Sequence, residues 1–275
     1  AMFPPEKIDL PPWPEKEFDQ CTPERNRVLY QMLNMAGDDL DDVYGLMAVY
    51  YGMVRFIDDS LGQILDALEA LDLRRNTIVV FCSDHGDFMG EHQMQCKGGV
   101  FYDCLTRVPL IFSCPGEIAV GIRDDSMVNL IDIVPTLLRL QGIEVPKTMQ
   151  GQPLPTVTPT PPRETAFSEY GAGGPPFRLS DLKQLSRPWG RQTLMQSLQW
   201  REAEGRRKMV RTREWKYVHD PMGDQDELYD LVNDPWELEN VVDLSPNQEI
   251  VAELRLRLAD WSVMVEDAKP VPLPK

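Results

Sequence analysis

Two of the three histidines in this chain fall inside one short segment, Ser83-Asp84-His85-Gly86-Asp87-Phe88-Met89-Gly90-Glu91-His92, which continues to Cys96-Lys97-Gly98-Gly99. An adjacent carboxylate and imidazole, followed by a glycine that relaxes the backbone, can turn toward one ion, and an oxygen with an imidazole nitrogen suits a divalent cation. Lys97 can grip a substrate anion as a point charge. Taken alone, the pair also reads more plainly, as a capping Asp beside a hydrogen-bonded His with Lys97 in solvent. His92 divides in the same way between the border of a pocket and a structural hydrogen bond.

The elements that must position these residues are legible on either side. Val43, Leu46, Met47, Tyr50, Met53, Val54, Ile57, Leu61, Ile64, Leu65, Leu68 and Leu71 recur every three or four residues, and acidic pairs stand before them. This spacing predicts a buried helix from about Asp41 to Leu71. Thr77 to Cys82 is an unbroken apolar run, as is Val108 to Ser113, and unbroken apolarity predicts strands covered on both faces in a parallel sheet. The Asp84-His85 pair therefore stands at the C-terminal end of a strand, where open α/β sheets bind ligands. A helix over Leu130 to Leu140 continues the alternation.

Residues 1 to about 37 read as an irregular, proline-rich lead-in. Prolines crowd again between 151 and 162, which marks a linker. Beyond it come short strand-like pieces at 164–168, 208–211, 215–218 and 228–231, and an amphipathic helix from about Asn247 to Met264. Residues 1–150 are thus expected to form a layered α/β domain, and residues 163–275 a small antiparallel sheet with one helix.

The 275 residues carry 28 Lys plus Arg against 44 Asp plus Glu, a net charge of −16. That balance disfavours binding to nucleic acid or to an anionic membrane surface, so an anionic substrate needs a positive field made within its own site. The longest uncharged apolar stretch, Val43 to Val54, is too short to span a bilayer. Five cysteines without a Cys-x-x-Cys pair suggest free thiols.

Ser-Asp-His-Gly-Asp after an apolar strand, then Met-Gly-Glu-His, Lys97 and Thr106-Arg107-Val108-Pro109-Leu110-Ile111, resembles the sulfatase branch of the alkaline phosphatase superfamily. The segments Tyr51 to Gly62, Asp132-Ile133-Val134-Pro135-Thr136-Leu137-Leu138, Trp215-Lys216-Tyr217, Glu227-Leu228-Tyr229-Asp230-Leu231 and Asp234 to Asn240 are similar to family stretches in the same order. The resemblance implies an alkaline phosphatase-like α/β fold, present in part, followed by a small α+β antiparallel subdomain. It implies a metal-dependent sulfuric ester hydrolase in which Asp84 and His85 bind the divalent cation and Lys97 contacts the sulfate. Calcium is the usual cation. His85 stands where many relatives have Asn, and imidazole is a softer ligand, which keeps manganese or another transition ion open.

The resemblance also implies a formylglycine nucleophile, made from Cys or Ser in a Cys/Ser-x-Pro-x-Arg motif on an upstream half that this chain lacks, so the chain alone is expected to be inactive. Cys21-Thr22-Pro23-Glu24-Arg25 matches the motif formally. It lacks the Thr-Gly expected shortly afterwards, carries a carboxylate where an anion must approach and lies immediately before the family's late helix, so it reads as coincidence. Asp58-Asp59 reads as a solvated helix face and His219 as structural. Two alternatives stand beside the sulfatase reading: a phosphonate monoester or phosphodiester hydrolase of the same superfamily, since both groups present tetrahedral anionic oxygens, and a noncatalytic chain of a two-part enzyme.

Overall fold

The computed structural model describes residues 2–14, 17–18, 22–35, 39–157, 162–171, 174, 178–182 and 206–265. The first helix, α1 (Glu24–Leu33), lies in the expected lead-in. Its charged first turn hides the pattern, yet Val28, Leu29, Met32 and Leu33 form an apolar stripe packed on Phe88, Met94, Val100, Tyr102 and Leu105. Arg25 and Asn26 are buried as well, because carboxylates from a distant part of the chain meet them. Local periodicity carries no sign of such partners.

Helix α2 (Leu40–Ala70) has nearly the expected span, and Asp39 caps it by accepting from the Asp41 N–H at 3.0 Å. Its burial differs from expectation. Only Val43 and Met47 are buried, while Val49, Met53, Phe56 and Ile57 stand 62, 58, 73 and 51% exposed. The amphipathic period is real, but few of the described residues cover the rest of the stripe.

Strand β1 (Val79–Cys82) is followed by the hairpin of β2 (Phe88–Met89) and β3 (Gln95–Cys96), then the short helix α3 (Asp103–Thr106) and strand β4 (Leu110–Ser113). The α/β class holds, and one detail of it is corrected. β1 and β4 pair with each other antiparallel, Val79 opposite Ser113 and Cys82 opposite Leu110, rather than lying in a parallel sheet. The excursion over residues 83–109 turns the chain back on itself, and neither strand is covered on both faces by the described residues.

A 3-10 turn at Leu130–Asp132 leads into α4 (Ile133–Leu140). The C-terminal part is the expected antiparallel sheet, β5 (Ala166–Tyr170), β6 (Arg207–Arg211), β7 (Trp215–His219) and β8 (Glu227–Asp230) in sequential order, with a short α5 (Leu179–Leu182) between the first two. Helix α6 (Gln248–Met264) lays Leu254 and Leu258 against Val210, Tyr217 and Leu228. Among the described residues no helix is long and apolar enough to cross a membrane. The core around α1 also takes in Leu182 and Tyr229, so it is shared between the early elements and the late sheet.

Candidate active site

At the exit of β1 the chain turns sharply. The Ser83 hydroxyl donates to the His85 carbonyl at 2.8 Å, and the Asp84 carboxylate accepts the His85 N–H at 3.0 Å. Gly86 is pressed onto α3: its N–H donates to the Leu105 carbonyl at 2.8 Å, and a Cβ there would lie 1.9 Å from the Cys104 carbonyl oxygen. This contact sets where Asp84 and His85 are presented.

The His85 ring has a defined tautomer. Its Nδ1 lies 2.9 Å from the Gly86 carbonyl, which can only accept, so Nδ1 carries the proton and Nε2 keeps its lone pair. Lys97 Nζ donates to that lone pair at 2.6 Å, and Asp84 Oδ2 lies 3.5 Å from the same nitrogen. Asp84 is exposed; the His85 N–H, with the nearby Lys97 ammonium, holds its carboxyl below the usual range. Lys97 comes from the other arm of the loop. Gly98 and Gly99 after it are seated so closely on Leu29 and the Tyr170 ring that a Cβ would come within 2.4 and 2.3 Å of them.

Three of the residues singled out from sequence are therefore brought together: Asp84, His85 and Lys97. Their chemistry fits a cation with an anion beside it. A lone pair held by a backbone-locked imidazole and a carboxylate are metal donors, and the ammonium suits a tetrahedral anion. Among the described residues no third His, Cys, Asp or Glu joins them as a ligand cluster. A divalent cation takes at least four ligands, so any others would come from water or from protein beyond these residues.

His92 is not brought to this group. It is buried, its Nδ1 paired with the Glu17 carboxylate and its ring stacked 3.7 Å from that of Tyr102. Of the two places open to it, a pocket border and a structural hydrogen bond, His92 takes the second, because a carboxylate from the N-terminal segment meets the ring. Asp58 and Asp59 lie on the exposed face of α2, Asp59 pairing with Arg55 at 2.6 Å, and His219 pairs with Asp226 at 3.0 Å.

Within the pentapeptide that mimics a nucleophile motif, Cys21 lies outside the described residues. Arg25 is buried and paired with Asp220 at 2.9 Å, with Asp224 at 3.6 Å and with Glu227. Glu24 binds Arg178 at 2.8 Å. The arginine ties α1 to the late sheet. Lys183, Arg187 and Arg191 lie outside the described residues.

Sequence reasoning missed a second charged cluster behind the site, Asp103, Arg211, Lys216 and Glu237. Its signal was the lysine between Trp215 and Tyr217 in an otherwise apolar strand. Lys216 is fully buried.

Comparison with known proteins agrees with this architecture. Residues 4–143 match the family model described as Sulfatase, and the chain belongs to the sulfatase family of the alkaline phosphatase superfamily. It is 33% identical over 202 residues to arylsulfatase K of Homo sapiens, covering 73% of this chain and 34% of that protein. A solved 2-O GAG sulfatase superposes with a TM-score of 0.73 at 27% identity, over 94% of this chain and 53% of the other. The phosphonate monoester hydrolase of Agrobacterium radiobacter superposes at 0.74 with 25% identity, over 97% and 53%. The chain thus spans about a third of that curated relative and about half of those solved structures.

Proposed function

We propose that this chain carries one side of the active site of a metal-dependent sulfatase, with Asp84 and His85 as two ligands of a divalent cation and Lys97 as the group that grips the sulfate. The meeting of these three side chains at the exit of β1 carries the reading, and membership of the sulfatase family, whose members named above include sulfuric ester hydrolases, supports it. In this reading residues 1–150 belong to the catalytic α/β layer, 151–162 link it to the rest, and 163–275 form the small subdomain.

The chain's own residues do the following. The Gly86 carbonyl keeps His85 in the tautomer whose Nε2 can ligate. Lys97 donates to that same lone pair. Nε2 has one lone pair, so an ion held there would take the place of the Lys97 contact and would leave the ammonium for an anionic oxygen. A bound divalent cation supplies electrostatic stabilisation of an anionic nucleophile and of the charge developing on the substrate. Calcium is the leading candidate, and the imidazole ligand keeps manganese open. The nucleophile, a formylglycine in this reading, comes from the remainder of the catalytic domain, which also covers the exposed apolar face of α2.

The test is hydrolysis of an aryl sulfate and of a matched phosphonate monoester by the complete catalytic domain containing this chain, and by the chain alone. Turnover of the sulfate by the complete domain, its loss in Asp84→Ala and in Lys97→Ala, and inactivity of the chain alone are expected. Sulfate turnover indifferent to both substitutions would remove the assignment; preference for the phosphonate would move it to the neighbouring activity.

A further inference from the structure

We propose that Lys216 is a positioning residue for the candidate site: its buried ammonium fixes the one segment, residues 101–105, from which both the His85 turn and the Lys97 loop are hung. The inference rests on reading Asp84, His85 and Lys97 as that site.

An ammonium with no exposure is costly in a protein interior unless it is fully paired. Lys216 donates to two acceptors, the Phe101 carbonyl at 2.8 Å and Asp103 Oδ1 at 2.6 Å, and forms an ion pair with Glu237 Oε1 at 2.5 Å. Arg211 forks onto the Asp103 carboxylate, Nε to Oδ1 at 3.0 Å and Nη2 to Oδ2 at 2.7 Å. The second oxygen of Glu237 accepts the Asp103 N–H at 2.5 Å. Two cations and two anions thus balance, and they hold a carbonyl, a side chain and an N–H of one short stretch of backbone. A well-packed apolar set in place of the whole cluster could fill such a space with little loss of stability, but it could not hold that backbone in one place.

Two arms leave this anchor. One is α3, whose Leu105 carbonyl accepts the Gly86 N–H at 2.8 Å and so seats the turn carrying Asp84 and His85. The other runs back from Phe101 through Gly99 and Gly98, each in tight contact, to Lys97. The 2.6 Å approach of Lys97 to His85 is then set from the far side of both arms by the late sheet.

Hydrogen exchange at the Gly86 amide and the ring-nitrogen chemical shifts of His85, measured in this chain, test the idea. Lys216→Met is compared with Leu254→Ala, a core variant of the same sheet-and-helix layer, under denaturant conditions that equalise global stability. Lys216→Met should speed Gly86 exchange about tenfold over the control through local opening and erase the preference for the Nδ1-protonated ring. Should Lys216→Met fail to fold, Asp103→Asn, which keeps the Phe101 contact, should give the same changes at smaller amplitude. Exchange and ring shifts matching the control in the variant that folds would overturn the inference. Both readouts are independent of turnover: a response at Gly86 and His85 in a protein whose complete domain hydrolyses no sulfate ester upholds the positioning role and removes only the functional reading.

Discussion

Gly86 leaves no room for any side chain. A Cβ at that position would stand 1.9 Å from the Cys104 carbonyl oxygen, and backbone, unlike a flexible side chain, cannot step aside. Gly86→Ala should therefore push the turn off α3 and cost about 1–3 kcal/mol, the usual range for forced overpacking, read as a lower denaturant midpoint. The Lys97–His85 contact should be lost with it, visible as a change in the His85 ring-nitrogen shifts. That these side chains meet was legible from residue type and family order. That His92 lies elsewhere was not, because its partner Glu17 is 75 residues away in sequence.

At the scale of elements, the cluster joining α3 to β6 and β7 makes a pH prediction. Burial works against the Asp103 carboxylate, but the Arg211 fork and the Lys216 ammonium outweigh it and hold its pKa well below the ordinary range. A depressed folded-state pKa contributes stability that is present above the unfolded value, about 3.9, and is lost as pH falls toward the folded value. Glu237 has the opposite sign: burial, only partly offset by Lys216, raises its carboxyl, so its contribution is largest at low pH and is lost as pH rises through the raised value. Comparing urea midpoints of the parent and Asp103→Asn across this range isolates the first effect. The parent should lose stability more steeply below about pH 4 than the variant does.

Considered whole, the molecule has an unbalanced surface. Val49, Met53, Phe56 and Ile57 on α2 and Ile111 on β4 are each more than half exposed, although α2 has the apolar period of a core helix. An apolar stripe of this kind marks a contact surface. Val49→Lys combined with Phe56→Lys should leave the chain's own unfolding midpoint within about 0.5 kcal/mol of the parent, as for surface substitutions, while lowering self-association in sedimentation velocity and the binding of a hydrophobic dye. A marked loss of folded stability instead would mean that these side chains already serve this chain's core.

The sequence by itself determined the elements whose periodicity is local: the span of α2, the strand leading to Asp84, the places of the four late strands and the closing helix. Residue types in family order also sufficed to place the chain among the sulfatases. Only the tertiary structure decided the antiparallel pairing of β1 with β4, the helix α1 within a charged segment, the core position of His92 and the burial of Lys216 among Asp103, Glu237 and a carbonyl. The reason is common to all four. A hydrophobic period is written into neighbouring residues, whereas strand direction and the pairing of a buried charge depend on partners far along the chain, which come together only once it has folded.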